Sequence, residues 1–130
     1  MPTGRCHCGA VSYEMPSETV YRALCHCSDC RRHSGAPVVA WGLVPKDQFR
    51  VEGETKEYKS SENARRHFCP ACGTSLFYTN EAAFPGNIDV QLATLDEPEA
   101  MPPELQVQVA ERIGWMERAH ELPAFERYPG

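Results

Sequence analysis

Apolar positions in this chain come in short bursts, and few of them recur at the three-to-four-residue spacing of a long amphipathic helix. Residues 11–14 (VSYE), 20–24 (VYRAL), 36–44 (APVVAWGLV), 56–59 (KEYK), 65–68 (RRHF), 74–78 (TSLFY), 87–93 (NIDVQLA) and 105–110 (LQVQVA) are rich in β-branched or aromatic side chains. Gly, Pro, Asn or Ser separates one burst from the next. Such runs, bounded by turn formers, read as strands, so the pattern predicts a mainly β protein. Helix is confined to single turns: one after Cys30, one at 45–49 (PKDQF) and one near 115–120. The stretch DEPEAMPPE at 96–104 reads as an ordered surface loop, because proline fixes the backbone and removes a hydrogen-bond donor. No repeat or low-complexity tract breaks the pattern, and the 130 residues are long enough for one core, so a single domain over 1–130 is expected.

Charge and hydropathy narrow the classes. The formal net charge is −5, and the basic residues stand in scattered pairs such as Arg31-Arg32 and Arg65-Arg66, which argues against nucleic acid as a partner. No run of about 18 apolar residues is present, and the start, MPTGRCHCGA, has no apolar signal-peptide core, so the expectation is a soluble, cytoplasmic protein that is not held in a membrane.

The seven cysteines change the picture most. The number is odd, and every one lies in a cluster: Cys6 and Cys8 as C-x-C, Cys25, Cys27 and Cys30 as C-x-C-x-x-C, Cys69 and Cys72 as C-x-x-C. A disulfide framework would need pairs and an oxidising compartment. Closely spaced thiols beside a glycine instead suit a zinc knuckle, where a tight turn aims two sulfurs at one ion about 2.3 Å away. Gly9 and Gly73 stand where such turns need them. The simplest partition is one closed four-sulfur site, Cys6, Cys8, Cys69 and Cys72, and one three-sulfur site, Cys25, Cys27 and Cys30. The first would be structural. The second would leave a coordination position for water or substrate, unless His33, three residues past Cys30, closes it.

The order GRCHCGAVSYE, CHCSDCRRHSGAP, RRHFCPACGTSLF, LATLDEP, then a tryptophan and LPAFERYP, resembles the glutathione-dependent formaldehyde-activating enzyme family, also known as the GFA or centromere protein V domain family. The resemblance runs over nearly the whole chain and implies a β-tent-like fold of short antiparallel strands with little helix. It implies two zinc ions per chain: a structural one on Cys6, Cys8, Cys69 and Cys72, and a catalytic one on Cys25, Cys27 and Cys30. It also implies a carbon-sulfur lyase activity, with a small-molecule thiol, glutathione, and a small aldehyde, formaldehyde, as partners. Gln106-Val107 stands where family members often carry His-Ile, and Ala93 where a glycine is common.

A three-thiolate zinc is soft and a weaker activator of water than a three-histidine site, so it should prefer a substrate sulfur. Arg31 and Arg32 follow the last ligand directly and could pair with a glutathione carboxylate, while His33 could shape the rim or relay a proton. Trp41, Phe68, Phe77 and Trp115 read as core, and Asp29 and Asp96 as turn or capping residues. The competing reading is a non-catalytic zinc-binding module that holds a thiol ligand or a protein partner. A methionine sulfoxide reductase would need a nucleophilic cysteine beyond the metal clusters, and none follows Cys72.

Overall fold

The computed structural model describes all residues, Met1–Gly130. Ten strands form: β1 (Thr3–Arg5), β2 (Ser12–Glu14), β3 (Tyr21–Cys25), β4 (Val39–Pro45), β5 (Arg50–Glu52), β6 (Lys56–Lys59), β7 (Ala64–Phe68), β8 (Ser75–Asn80), β9 (Asn87–Gln91) and β10 (Leu105–Val107). The one α-helix, α1, spans Ser28–Ser34. Every expected strand is present within a few residues. The short β1 and β5, three residues each, lacked an apolar burst to announce them. Leu92–Thr94 and Val109–Glu111, expected to prolong strands, instead turn into 3-10 helix, as do Lys46–Gln48, Pro98–Ala100 and Gly114–Glu121. No helix is long and apolar enough to cross a membrane.

Two sheets result. The smaller has the order β1-β2-β5 and the larger β10-β3-β4-β9-β8-β7-β6. All pairings are antiparallel except β10 with β3, which is parallel. In β4 and β9 nearly every residue is buried, because both faces of the large sheet are covered there; β4 is accordingly apolar throughout, whereas β9 still alternates polar and apolar residues.

Side-chain alternation sorts the large sheet into two faces. One carries Val44, Phe77, Ile88 and Val90, which pack with Val11, Tyr13 and Met15 of the small-sheet segment, and with Leu76, Leu92, Leu95 and Met101, into the main core. Tyr13, Phe49 and Phe77 meet there at ring separations of 5.6, 5.3 and 4.9 Å, two of the three pairs edge to face. Gly42 lies on this side of β4, where an added Cβ would sit 2.8 Å from Leu92 Cδ2. Cys6 and Cys69 belong to this core.

The opposite face holds a second, smaller cluster of Cys25, Cys30, Val39 and Trp41, flanked by Cys27, Tyr78 and Val107. Trp41 and Phe77 are therefore buried as expected. Trp115 is not: it is 56% exposed, because Gly114–Glu121 lies along the surface and contributes no buried residue.

Leu76 is fully buried and Trp115 is not, so their truncations should differ sharply. Leu76→Ala is expected to cost about 2–5 kcal/mol by cavity formation, and Trp115→Ala less than about 0.5 kcal/mol. Urea unfolding of the two variants checks this; equal losses would contradict the packing.

Candidate metal centres and the adjoining pocket

The first cluster is built from two matching turns. Cys6 donates its amide to Val11 O at 2.9 Å and accepts Gly9 N–H on its carbonyl at 3.2 Å; Cys69 does the same with Thr74 O at 3.0 Å and Gly73 N–H at 2.8 Å. Gly9 and Gly73 have φ of 84° and 85°, the left-handed region that side chains disfavour, as the knuckle reading requires. Val11 N–H and Cys72 N–H point at Cys6 Sγ (3.3 Å) and Cys69 Sγ (3.4 Å), an arrangement that stabilises thiolate sulfur. The chain thus brings residues 61 or more positions apart into one group of four sulfurs.

Sulfurs about 2.3 Å from a tetrahedral zinc stand about 3.8 Å from one another. Cys6 Sγ to Cys8 Sγ is 3.7 Å and Cys8 Sγ to Cys69 Sγ is 3.8 Å, so the donor set has the right size for such an ion. Cys6 and Cys69 are buried, whereas Cys8 and Cys72 lie at the surface.

The second cluster is Cys25, Cys27 and Cys30, whose sulfurs lie within 4.8 Å of one another. Cys25 ends β3, and Cys27 is the N-cap of α1, its sulfur accepting Cys30 N–H at 3.3 Å. One short helix turn therefore delivers two of the three sulfurs. Gly35 closes the helix at φ 65°, with its N–H on Arg31 O. The hydrogen bond from Cys25, helped by Cys27 and then Arg66 and opposed by burial, pulls the Cys30 thiol down to about 5. Cys25 moves the opposite way, since it gives that hydrogen bond. The Arg66 guanidinium lies 3.6 Å from Cys30 Sγ and offsets the negative charge that three thiolates concentrate.

His33 is not a member of either group of sulfurs. Its Nδ1 lies 3.0 Å from Ser75 Oγ, and Gln91 Nε2 donates to both Ser75 Oγ (2.6 Å) and Ser34 Oγ (2.9 Å). This chain of polar contacts fastens α1 to β8 and β9. His33 also stacks on Tyr58 at 6.0 Å and meets Phe68 edge-on at 5.9 Å. His26, between two cluster cysteines, is buried and turns away to Gln106, Nε2 to Oε1 2.7 Å. Gln106 is one of the three residues at which this chain departs from the common family pattern, and it partners Nε2, while the buried Nδ1 has no hydrogen-bond partner.

Beside the second cluster opens a cavity of about 350 Å³ whose wall includes all three cysteines, Tyr21, Trp41, Arg66, Tyr78, Phe84, Asp89 and Val107, with Asp29 and Glu111 exposed at its mouth. Arg31 is absent from this wall; its Nε holds His26 O at 3.2 Å, and its charge helps keep the nearby Glu111 carboxyl low, after the Ser28 amide that Glu111 accepts. Arg32 and His33 line a neighbouring pocket of about 330 Å³ with Tyr58 and Ser60, which shares Asp29 and Arg66 with the first. Asp96 accepts Thr3 Oγ1 at 2.7 Å, a structural placement; Asp29 is in the first turn of α1, whose cap is Cys27, and lines both pockets.

Tyr21, Arg66, Tyr78 and Asp89 were not legible as site residues. The available signal for Asp89 is the only ionisable residue of β9, set between Ile88 and Val90.

The family profile for glutathione-dependent formaldehyde-activating enzymes matches residues 1–111. The chain belongs to this family. An uncharacterized lyase of Schizosaccharomyces pombe is 34% identical over 79 residues, 59% of this chain and 58% of that protein. A Halomonas elongata protein provisionally named a glutathione-dependent formaldehyde-activating enzyme is 28% identical over 124 residues, covering 88% of this chain and 78% of the other. A similarly named Fusarium vanettenii protein is 31% identical over 62% of this chain and 46% of its own length. The chain thus spans between about half and four fifths of these relatives. A crystal structure of a Rhodobacter sphaeroides protein shares the fold, with a TM-score of 0.64 at 24% identity over 81% of this chain and 99% of that one. Both cysteine clusters of this GFA-family chain could hold a metal ion, and zinc fits their all-sulfur donor sets.

Cys69 is fully buried in the main core, whereas Cys27 sits on the wall of an open cavity. Structural zinc adds folding free energy on the order of 10 kcal/mol in small metal domains. Cys69→Ser is therefore expected to lower the melting temperature far more than Cys27→Ser does; calorimetric scans showing equal losses would contradict the division of labour. Elemental analysis of anaerobically purified protein should find two zinc ions per chain, and at most one after Cys27→Ser.

Proposed function

We propose that this protein is a zinc-dependent carbon-sulfur lyase of the S-(hydroxymethyl)glutathione synthase type, adding the sulfur of glutathione to formaldehyde or a related small aldehyde. The observation that carries this reading is that three cysteines, with no fourth protein ligand, line the wall of a cavity large enough for a small aldehyde and a thiol. The names of the Halomonas and Fusarium relatives support the substrate pair, and that of the Schizosaccharomyces relative supports a lyase.

In this reading Cys6, Cys8, Cys69 and Cys72 hold a structural zinc and Cys25, Cys27 and Cys30 a reactive one. Bound there, zinc supplies a sulfur-preferring Lewis acid with one position left for a substrate thiol, which it favours in the thiolate form. Arg66 balances charge at Cys30. Trp41, Tyr78, Phe84 and Val107 provide an apolar wall that confines a small aldehyde next to the sulfur. Confinement is the main advantage available, since it replaces a chance encounter by a held pair.

Glutathione is too long for the cavity alone. The shared border at Asp29 and Arg66 gives its ends a route to the neighbouring pocket, where Arg32 can meet a carboxylate and His33 lies beneath. Arg31 flanks the mouth on the Glu111 side.

Titration calorimetry tests the reading. Glutathione should bind to the zinc-loaded protein, while S-methylglutathione, which retains both carboxylates but cannot form a thiolate, should not; Cys27→Ser should abolish binding as well. Equal affinity for the S-methyl compound would rule out capture through sulfur.

A further inference from the structure

The register of the large sheet lines up one row of residues across five strands. Tyr21 pairs with Leu43, Leu43 with Asp89, Asp89 with Tyr78, and Tyr78 with Arg66. Directly opposed residues share a face, so this row runs beneath the three-cysteine cluster, and all of it except Leu43 lines the cavity. Asp89 stands at its centre. It is 7% exposed, and its Oδ1 is buried with no hydrogen-bond partner in the protein.

An unpartnered buried carboxyl oxygen is costly to fold and calls for an explanation. The neighbours provide no structural one. Arg66 directs its Nη1 to Cys30 Sγ and its Nε to Ser60 Oγ, and its guanidinium lies 4.8 Å above the Tyr78 ring; it forms no ion pair with Asp89. Tyr78 Oη accepts from Asn80. The other two acids on the wall, Asp29 and Glu111, are exposed, and Glu111 is occupied by the Ser28 amide. Among the acids of this cavity, Asp89 alone combines burial, a free oxygen and a position beside the cysteines.

We propose that Asp89 is the proton carrier of this site: its carboxylate takes the proton of the incoming thiol and returns it to the carbonyl oxygen of the aldehyde. The proposal rests on the thiol-aldehyde reading above. The balance closes within the pocket. The S–H bond breaks as the Asp89 O–H bond forms. The sulfur pair then forms the C–S bond, the C=O π pair moves to oxygen, and that oxygen takes the proton from Asp89. The product is the S-hydroxymethyl hemithioacetal, and Asp89 ends as it began, with no oxidant, reductant or further reactant. The reverse sequence cleaves the carbon-sulfur bond with the same residue.

Burial, reinforced by the charge of Cys30 and opposed by that of Arg66, pushes the Asp89 carboxyl up to about 7, where it can both accept and release a proton at neutrality. The titratable groups that share its cavity are Tyr21, Tyr78, Cys25, Cys27 and Cys30, with Asp29 and Glu111 at the mouth, and the fixed charge is Arg66. Burial, then Asp89 and Cys25, raise the Tyr21 phenol, which stays protonated near neutral pH and is a poor proton acceptor.

The test compares zinc-loaded wild-type protein with Asp89→Asn and Asp89→Ser at pH 7. Glutathione binding is followed by calorimetry in buffers of different ionisation enthalpy, which counts the protons released. Exchange between formaldehyde and S-hydroxymethylglutathione is followed by NMR against the uncatalysed rate. Both variants should keep two zinc ions, bind glutathione, and melt no lower than wild type, since an unpaired acid has been removed. They should release about one proton per thiol where wild type releases fewer, and lose on the order of 100-fold or more of the rate acceleration. Unchanged proton release and exchange with intact thiol binding would overturn the role of Asp89, as would loss of zinc or of thiol binding, which would make it structural. Absence of glutathione binding in the wild type would instead remove the functional reading on which the proposal stands.

Discussion

Side-chain alternation across the seven-stranded sheet is the constraint from which the rest of this structure follows. Neighbouring residues on a strand must leave on opposite sides, so Ile88 and Val90 enter the main core while Asp89 and Gln91 enter the other face. That division separates the two groups of cysteines. Cys6 and Cys69 are packed among the core side chains, and Cys25 and Cys30 are set over the opposite face beside a cavity. A sheet covered on both faces can keep a rigid closed site and an accessible site in one small chain without either disturbing the other.

The two groups also differ in how the chain builds them. The four-cysteine group joins two similar glycine turns distant in sequence, so its geometry depends on the fold being complete, and in return it ties the small sheet's segment to the β7–β8 turn. The three-cysteine group is local, arising from a strand end and the first turn of α1. Its long-range support comes from other residues: Arg66 at Cys30, and the His33, Ser75, Gln91 and Ser34 contacts that hold the helix down. These polar contacts lie between apolar neighbours and fix where α1 sits, which a purely hydrophobic interface would do with less directional specificity.

The cavity wall combines apolar rings with a few groups whose environments differ strongly. Cys30 is favoured as a thiolate by its hydrogen bonds and by Arg66, while Asp89 is disfavoured as a carboxylate by burial.

The sequence alone determined the strand content and the division of cysteines into clusters, because both rest on short-range properties: alternation, turn formers, and the spacing of two sulfurs around one turn. Lys56–Lys59 became a strand over the residues expected, and Gly9 and Gly73 adopted the positive φ that a knuckle needs. β1 and β5 escaped notice because Thr3–Arg5 holds no large apolar residue and Arg50–Glu52 only Val51, and Trp115 was misplaced because an aromatic side chain does not declare whether anything packs on it. Tertiary structure alone decided which polar residues surround the second cluster. Tyr21, Asp89, Tyr78 and Arg66 come from four strands spread over the 69 positions from Tyr21 to Asp89, and they meet only through the pairing register; a slip of one residue in any of those strands would turn its member of the row to the other face. Arg32 and His33, although only two and three residues past Cys30, were carried to a neighbouring pocket because successive positions on a helix point in different directions, about a hundred degrees apart.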